Sequence, residues 1–123
     1  MNLHEAPYIS LGTFRKSGVM VATPVWAAPV NEGLMVFSAG HAGKVKRLRN
    51  SPKAQIAVCD VRGKLLGEWQ TAQAFIVEDE ESIAAGLQSL RSKYGWQMWL
   101  ADTGAKLTGK YHKRTYILVR LST

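Results

Sequence analysis

The residues best suited to chemistry lie between Ser38 and Pro52, where Gly40-His41-Ala42-Gly43-Lys44 leads into Lys46, Arg47 and Arg49. Val45 and Leu48, three apart, supply one apolar face, so Lys44 to Asn50 is expected to form a short helix that Pro52 stops. A helix start leaves backbone N–H groups unpaired, and these attract anions. Gly40 and Gly43 would let an anion approach the backbone closely. A lysine in the first turn is unfavourable for the helix by itself. Lys44, with Arg47 one turn further on the same face, is therefore expected to clamp a phosphate-like group. Lys46 and Arg49 project elsewhere and are expected to be solvated.

Other chemistries fit less well. The glycine-lysine run is not a complete phosphate loop: Ser38 stands where the first glycine belongs, and Val45 where a Ser or Thr should follow the lysine. His4, His41 and His112 are widely spaced, so no metal site is expected. No Gly-x-Ser-x-Gly elbow occurs. Glu78, Asp79, Glu80 and Glu81 open a helix and read as capping rather than catalytic groups. The single cysteine, Cys59, ends an apolar run and is expected to be a buried thiol in a reducing, cytoplasmic setting.

The net charge of +7 is uneven. Lys44, Lys46, Arg47, Arg49, Lys53, Arg62 and Lys64 face a lone Asp60 in the middle of the chain, a field that favours an anionic partner. No apolar run approaches the ~20 residues of a membrane span, and Met1 to Pro7 lacks the pattern of a secretory leader, so no membrane partner is expected. The 123 residues suit one domain.

These groups must be held by something. Tyr8–Lys16 and Val19–Ala28 read as strands joined at Ser17-Gly18, with Pro24 demoting the second to an edge or marking a bulge. Pro29–Gly33 reads as a loop. Leu34–Ser38, Ala54–Asp60, Glu68–Val77 and Arg114–Leu121 complete six strands. Trp69, Thr71, Gln73 and Phe75 share one face of the fifth. Glu78–Ser92 is the longest expected helix, with Asp79 as N-cap and Ile83, Leu87 and Leu90 as its apolar stripe. Tyr94–Leu100 is a second short helix, whose Tyr94, Trp96, Met98 and Trp99 suit core or dimer packing, or the wall of a substrate pocket. Hairpin-linked strands cannot make a parallel doubly wound sheet. The expected fold is mainly β, an antiparallel barrel with flanking helices.

Four segments together resemble the pyridoxamine 5'-phosphate oxidase-like split-barrel superfamily: Tyr8-Ile9-Ser10-Leu11-Gly12-Thr13-Phe14, Ala22-Thr23-Pro24-Val25-Trp26, Gly43-Lys44-Val45-Lys46-Arg47-Leu48-Arg49-Asn50-Ser51-Pro52 and Lys93-Tyr94-Gly95-Trp96-Gln97. The branch they resemble is that of probable coenzyme F420-dependent (deazaflavin) oxidoreductases. The resemblance implies a homodimer of six-stranded split barrels with cofactor sites at the interface. It implies that F420 or FMN lies with its ring along Thr23, Pro24, Val25 and Trp26, beside Phe37 and Ser38, and with its phosphate on Gly43, Lys44 and Arg47. Trp96 and Trp99 would then wall the pocket of a small-molecule substrate. The reaction implied is hydride transfer, for which the cofactor supplies the chemistry.

Two positions depart from FMN-using relatives. A Ser-Arg pair before the lysine is replaced by Ala42-Gly43, and an early arginine on the second strand is absent from Val21-Ala22-Thr23. Three alternatives therefore stand beside the enzyme reading. One is a protein without its cofactor. Another is a haem-binding barrel, although no histidine stands in an obvious ligand context and His41 is the one candidate beside the pocket. The third, nucleic-acid binding, is disfavoured because Trp96 and Trp99 lie far along the chain from the basic stretch.

Overall fold

The computed structural model describes residues 2–122, and of His112 the backbone alone. Among them are seven strands: β1 (Tyr8–Phe14), β2 (Met20–Val25), β3 (Ala27–Val30), β4 (Gly33–Ala39), β5 (Lys53–Cys59), β6 (Gln70–Val77) and β7 (Arg114–Leu121). Three α-helices accompany them: α1 (Gly43–Asn50), α2 (Glu80–Tyr94) and α3 (Trp96–Leu107). The strands form one antiparallel sheet in the order β2-β1-β5-β6-β7-β4-β3.

The expected count of six strands is corrected to seven. The run Val19–Ala28 breaks at Trp26, and its halves pair with different partners, β2 with β1 and β3 with β4. Pro24 and Pro29 lie in the two terminal strands of the sheet, where a missing N–H leaves no gap in a ladder. Pro29 and Val30, expected in a loop, belong to β3, and Asn31-Glu32 alone makes the turn to β4. Because Trp26 is the whole link between β2 and β3, Val25 and Ala27 are at most about 7 Å apart. The two ends of the sheet must therefore meet there, and the sheet curls into an open half-barrel.

Alternation along the strands sorts two cores. Ile9, Leu11, Val25, Ala27, Leu34, Val36, Ile56, Ile117 and Val119 fill the barrel, and Leu48 of α1 closes on them. Met35, Tyr116, Trp26, Phe37 and Val77 point outward and are covered by Ile83, Leu87, Leu90 and Tyr94 of α2 and by Met98 of α3. Gly86 lets α2 come down onto Met35, because a Cβ there would overlap that side chain. Asp79 caps α2 as expected, its carboxylate accepting from the Ser82 N–H at 2.9 Å. On β6, Thr71, Gln73 and Phe75 share the outward, exposed face. Cys59 is buried, and burial, with Asp60 adding to it, pushes its thiol up in pKa. α3 runs to Leu107 rather than Leu100. Asp102, Thr103 and Gly104 are weak helix formers, but the Asp102 carboxylate accepts hydrogen bonds from Arg91 at 3.0 Å and Arg114 at 2.7 Å, which ties that turn to α2 and β7.

The link between β2 and β3 is held from outside the barrel. The Ala27 N–H donates to the Tyr94 hydroxyl at 2.9 Å, and that hydroxyl lies 2.9 Å from the Pro7 carbonyl. Lys93 Nζ donates to the carbonyls of Ala6, at 2.8 Å, and of Ala27. Trp26 stacks on the Tyr94 ring at 4.7 Å and 13°. Replacing Tyr94 with Phe keeps the stack and leaves a buried N–H without an acceptor. The expected loss is about 1–3 kcal/mol by denaturant unfolding at an unchanged m-value. Burial, opposed by the Ala27 hydrogen bond and aided by Tyr8, raises the Tyr94 pKa to about 12. A folded pKa above the unfolded value means that this residue's contribution is complete below pH ~10 and is lost as the pH climbs towards 12.

Candidate anion and cofactor site

The curled sheet leaves two lengths of strand edge unpaired on the same side. β2 has no neighbour beyond β1, and β4 loses β3 after Val36, so Phe37, Ser38 and Ala39 have no partner there. These are the two sides of the split, joined at Trp26. α1 begins four residues after β4. Thr23–Trp26 and Phe37–Ser38, separate in sequence, thus lie on the two unpaired edges, and the Gly43–Arg47 helix start closely follows the second of them.

The side chains divide by face. Thr23 and Val25 lie opposite Leu11 and Ile9 and share their inward face. Ser38 follows Leu34 and Val36 inward. Trp26 and Phe37 face out towards α2 and meet edge to face at 6.2 Å and 69°. Pro24 is exposed on the outer side of β2. Thr23 Oγ1 is buried without a hydrogen-bond partner among the described residues. The Ser38 hydroxyl is also buried and has only a long bond, 3.3 Å, to the Ala39 carbonyl. A buried hydroxyl without a partner costs about 1–3 kcal/mol, so the two sides of the split each offer an inward polar group with spare bonding capacity.

At the helix start, Ala42 provides no side-chain cap and the first turn holds no acid. The N–H groups of Gly43 and Lys44 have no acceptor among the described residues. Arg47 folds back across this end. Its Nε donates to the buried Thr13 Oγ1 at 2.6 Å, and a Cβ on Gly43 would stand 2.7 Å from its Nη1. Gly43 therefore makes room for the protein's own guanidinium. Gly40 likewise makes room for the Lys113 carbonyl, which accepts its N–H at 2.9 Å. Both glycines therefore also serve the protein's own packing.

Desolvation, and then the charge of Arg47, lower the Lys44 pKa; desolvation and then Arg15 lower that of Arg47. The ion pairs among the described residues join Asp102 to Arg91 and Arg114, and neither involves these cations. Lys44, Arg47 and a helix N-terminus thus converge without a carboxylate. Lys46 and Arg49 are exposed, as expected.

Trp96 and Trp99 are not part of this group. Both project from the outer face of α3, opposite Met98 on its buried side, so the expected core packing holds for Tyr94 and Met98 but not for them. A pocket wall made from them would serve a neighbouring copy rather than this chain's own split. His41 and His4 are exposed, and the His112 side chain lies outside the described residues. Among the described residues no cluster of His, Cys, Asp and Glu suits a metal, and no helix is long and apolar enough to cross a membrane.

Sequence reasoning passed over three groups. Thr13, an ordinary strand residue by pattern, anchors Arg47. Lys93 and Tyr94 fix Trp26. Asp102 holds α3. Only Asp102 carried a signal, as the one acid in an otherwise apolar and basic helix.

A half-open antiparallel barrel with a cationic helix start at its split defines the structural class, the split barrel. No family profile and no curated protein matches the sequence. Solved structures do. The haem storage protein HutZ from Vibrio cholerae superposes with a TM-score of 0.71 at 14% identity, over 97% of this chain and 84% of that one. An F420 reductase gives 0.62 at 18% identity, over 98% and 91%. A Listeria innocua protein described as a candidate pyridoxamine 5'-phosphate oxidase gives 0.61 at 12% identity, over 95% and 85%. At these identities the likeness carries the fold alone: the chain has the split β-barrel seen in these structures.

Proposed function

We propose that the 123 residues form one split-barrel unit that binds a phosphorylated flavin or deazaflavin, FMN or coenzyme F420, and acts as an oxidoreductase on a small molecule. The observation that carries this reading is the convergence of Lys44, Arg47 and the free N–H groups of Gly43 and Lys44 with no acid to neutralise them. Such an arrangement is costly without an anion and favourable with one. The orphaned Thr23 Oγ1 supports it independently, as a donor or acceptor for a ring heteroatom.

The bound cofactor would supply hydride transfer. The chain's own residues bind and orient. Lys44 and Arg47 take the phosphate, with Arg47 held at its angle by Thr13. Thr23 and Ser38 offer hydrogen bonds from the two sides of the split, beside the backbone of Pro24 to Trp26 and of Phe37. Val25 and the barrel interior keep the inner side dry. The reading includes a homodimer, in which the partner completes the open side, and a reducing, cytoplasmic setting in keeping with the buried thiol of Cys59. The likeness to an F420 reductase favours the deazaflavin, as do Ala42 and Gly43 in place of further phosphate ligands.

Fluorescence titration with FMN and with F420 tests the proposal. Saturable binding of one of them is expected, weakened by about 1.5–3 kcal/mol in Lys44→Ala. Binding unchanged by that substitution refutes the site. Saturable haem binding lost in His41→Ala, with neither coenzyme bound, replaces the oxidoreductase by a haem carrier.

A further inference from the structure

α3 is built inside out. Its largest apolar side chains face the outside: Trp96 is 70% exposed, Trp99 64%, Leu100 52% and Leu107 83%. Its only acid, Asp102, is buried and paired with Arg91 and Arg114. At ~100° per residue, Trp96, Trp99, Leu100, Thr103 and Leu107 fall within an arc of about 100°, opposite Met98, Ala101 and Ala105. An ordinary surface helix turns such a stripe inward. Here the inward face is already occupied by packing against α2, so the stripe has no place in the chain's own core.

The unpaired charges that follow it along the chain have one sign. Lys106, Lys110 and Lys113 follow the stripe, no other acid lies between Gly95 and Lys113, and no described carboxylate pairs with these lysines. Two copies meeting stripe to stripe would bring these lysines towards one another without a counter-charge. The matching surface is apolar and anionic.

We propose that the outward face of α3 docks on an anionic lipid surface, with Trp96, Trp99, Leu100 and Leu107 entering the headgroup boundary and Lys106, Lys110 and Lys113 contacting the headgroups. Indole rings favour that boundary, and helices with one apolar and one basic sector lie flat in it. Each lysine adds attraction that salt weakens. This is contact with a membrane surface and not a span. It does not depend on the anion seat at Lys44, with which α3 shares no residue, but it replaces the reading of Trp96 and Trp99 as a pocket wall.

Co-sedimentation with vesicles of phosphatidylcholine alone, and of phosphatidylcholine mixed with phosphatidylglycerol, tests it. The protein is expected to pellet with the anionic vesicles at low salt and to be released at high salt. Trp99→Ser and Leu107→Ser are each expected to lower partitioning, about tenfold for the tryptophan. Both side chains are exposed, so unchanged far-UV circular dichroism shows that the fold survives. Lys106→Glu with Lys110→Glu is expected to remove the preference for anionic vesicles, and Lys44→Ala to leave binding intact. The proposal is overturned by failure to pellet with either vesicle, by binding that Trp99→Ser leaves unchanged, or by a single-stranded oligonucleotide displacing the protein from the vesicles. Shielding of Trp96 and Trp99 from acrylamide in the free protein also overturns it, because a second copy would then cover the stripe.

Discussion

Asp102→Ala is expected to lose about 3–5 kcal/mol of folding stability, the largest effect of any single substitution considered for this chain. Arg114, whose side chain is 7% exposed, donates to one carboxylate oxygen at 2.7 Å and Arg91 to the other at 3.0 Å. Truncating the acid leaves a buried guanidinium against the Phe37 and Tyr111 rings, at 4.6 and 4.9 Å, and the Tyr116 hydroxyl, none of which carries a counter-charge. Ring contacts do not offset the desolvation of an unpaired cation. For a domain stable by about 5–15 kcal/mol, this loss lowers the thermal midpoint by roughly 10 °C or more. Adding Arg114→Ala should recover part of it, and the four-member cycle measures the coupling. The pH dependence has a definite sign. Burial opposes ionisation of Asp102, but hydrogen bonds from Arg114 and then Arg91 overcome it and hold the carboxyl below its ordinary value of 3.8. The pair's contribution is therefore complete above pH ~4 and is lost as the pH falls through the folded pKa. Asp102→Ala should flatten the acid limb of the stability curve while leaving its neutral-to-alkaline shape unchanged.

What the sequence disclosed follows from the range of each interaction. Local pattern was enough for β1, α1 and α2, because alternation, capping by Asp79 and the Val45–Leu48 spacing are read within a few residues. The place of Pro24 at a sheet edge was legible for the same reason. Trp26 was not. Whether Val19–Ala28 is one strand or two depends on which strands lie at the ends of the sheet, and that is set by closure of the barrel rather than by the segment. The candidate site divides in the same way. Lys44 and Arg47 announce a cationic helix start by type and spacing. The anchoring of Arg47 by Thr13, 34 positions earlier, and the latch of Tyr94 on Ala27, 67 positions earlier, exist only once the sheet is assembled. Trp96 and Trp99 mislead a core reading because helical spacing specifies a stripe but not which side of the helix faces inward.

Lys44→Met with Arg47→Met is expected to abolish phosphate-dependent binding of either coenzyme, by about 3–6 kcal/mol or at least a hundredfold in Kd, if the two charge-assisted contacts act independently. Lys44→Met alone, which keeps the Arg47–Thr13 hydrogen bond, should make the ligand-free protein more stable. Desolvation and mutual repulsion hold the pKa of Lys44 below its ordinary value, so the folded state binds that proton less tightly than the unfolded chain does. Charged Lys44 therefore costs stability at neutral pH, and the cost disappears only as the pH rises towards the lysine's unfolded pKa. Replacing it with an apolar residue of similar length removes that cost, as is common where function holds a site in an unfavourable state. An ordinary solvated basic helix predicts neither result, since its lysines are unstrained and bind nothing. Thermal unfolding and fluorescence titration of the wild-type protein and Lys44→Met decide between them. A rise in midpoint together with a loss of affinity identifies the start of α1 as an anion seat. A midpoint unchanged or lowered, with affinity retained, returns Lys44 and Arg47 to the surface.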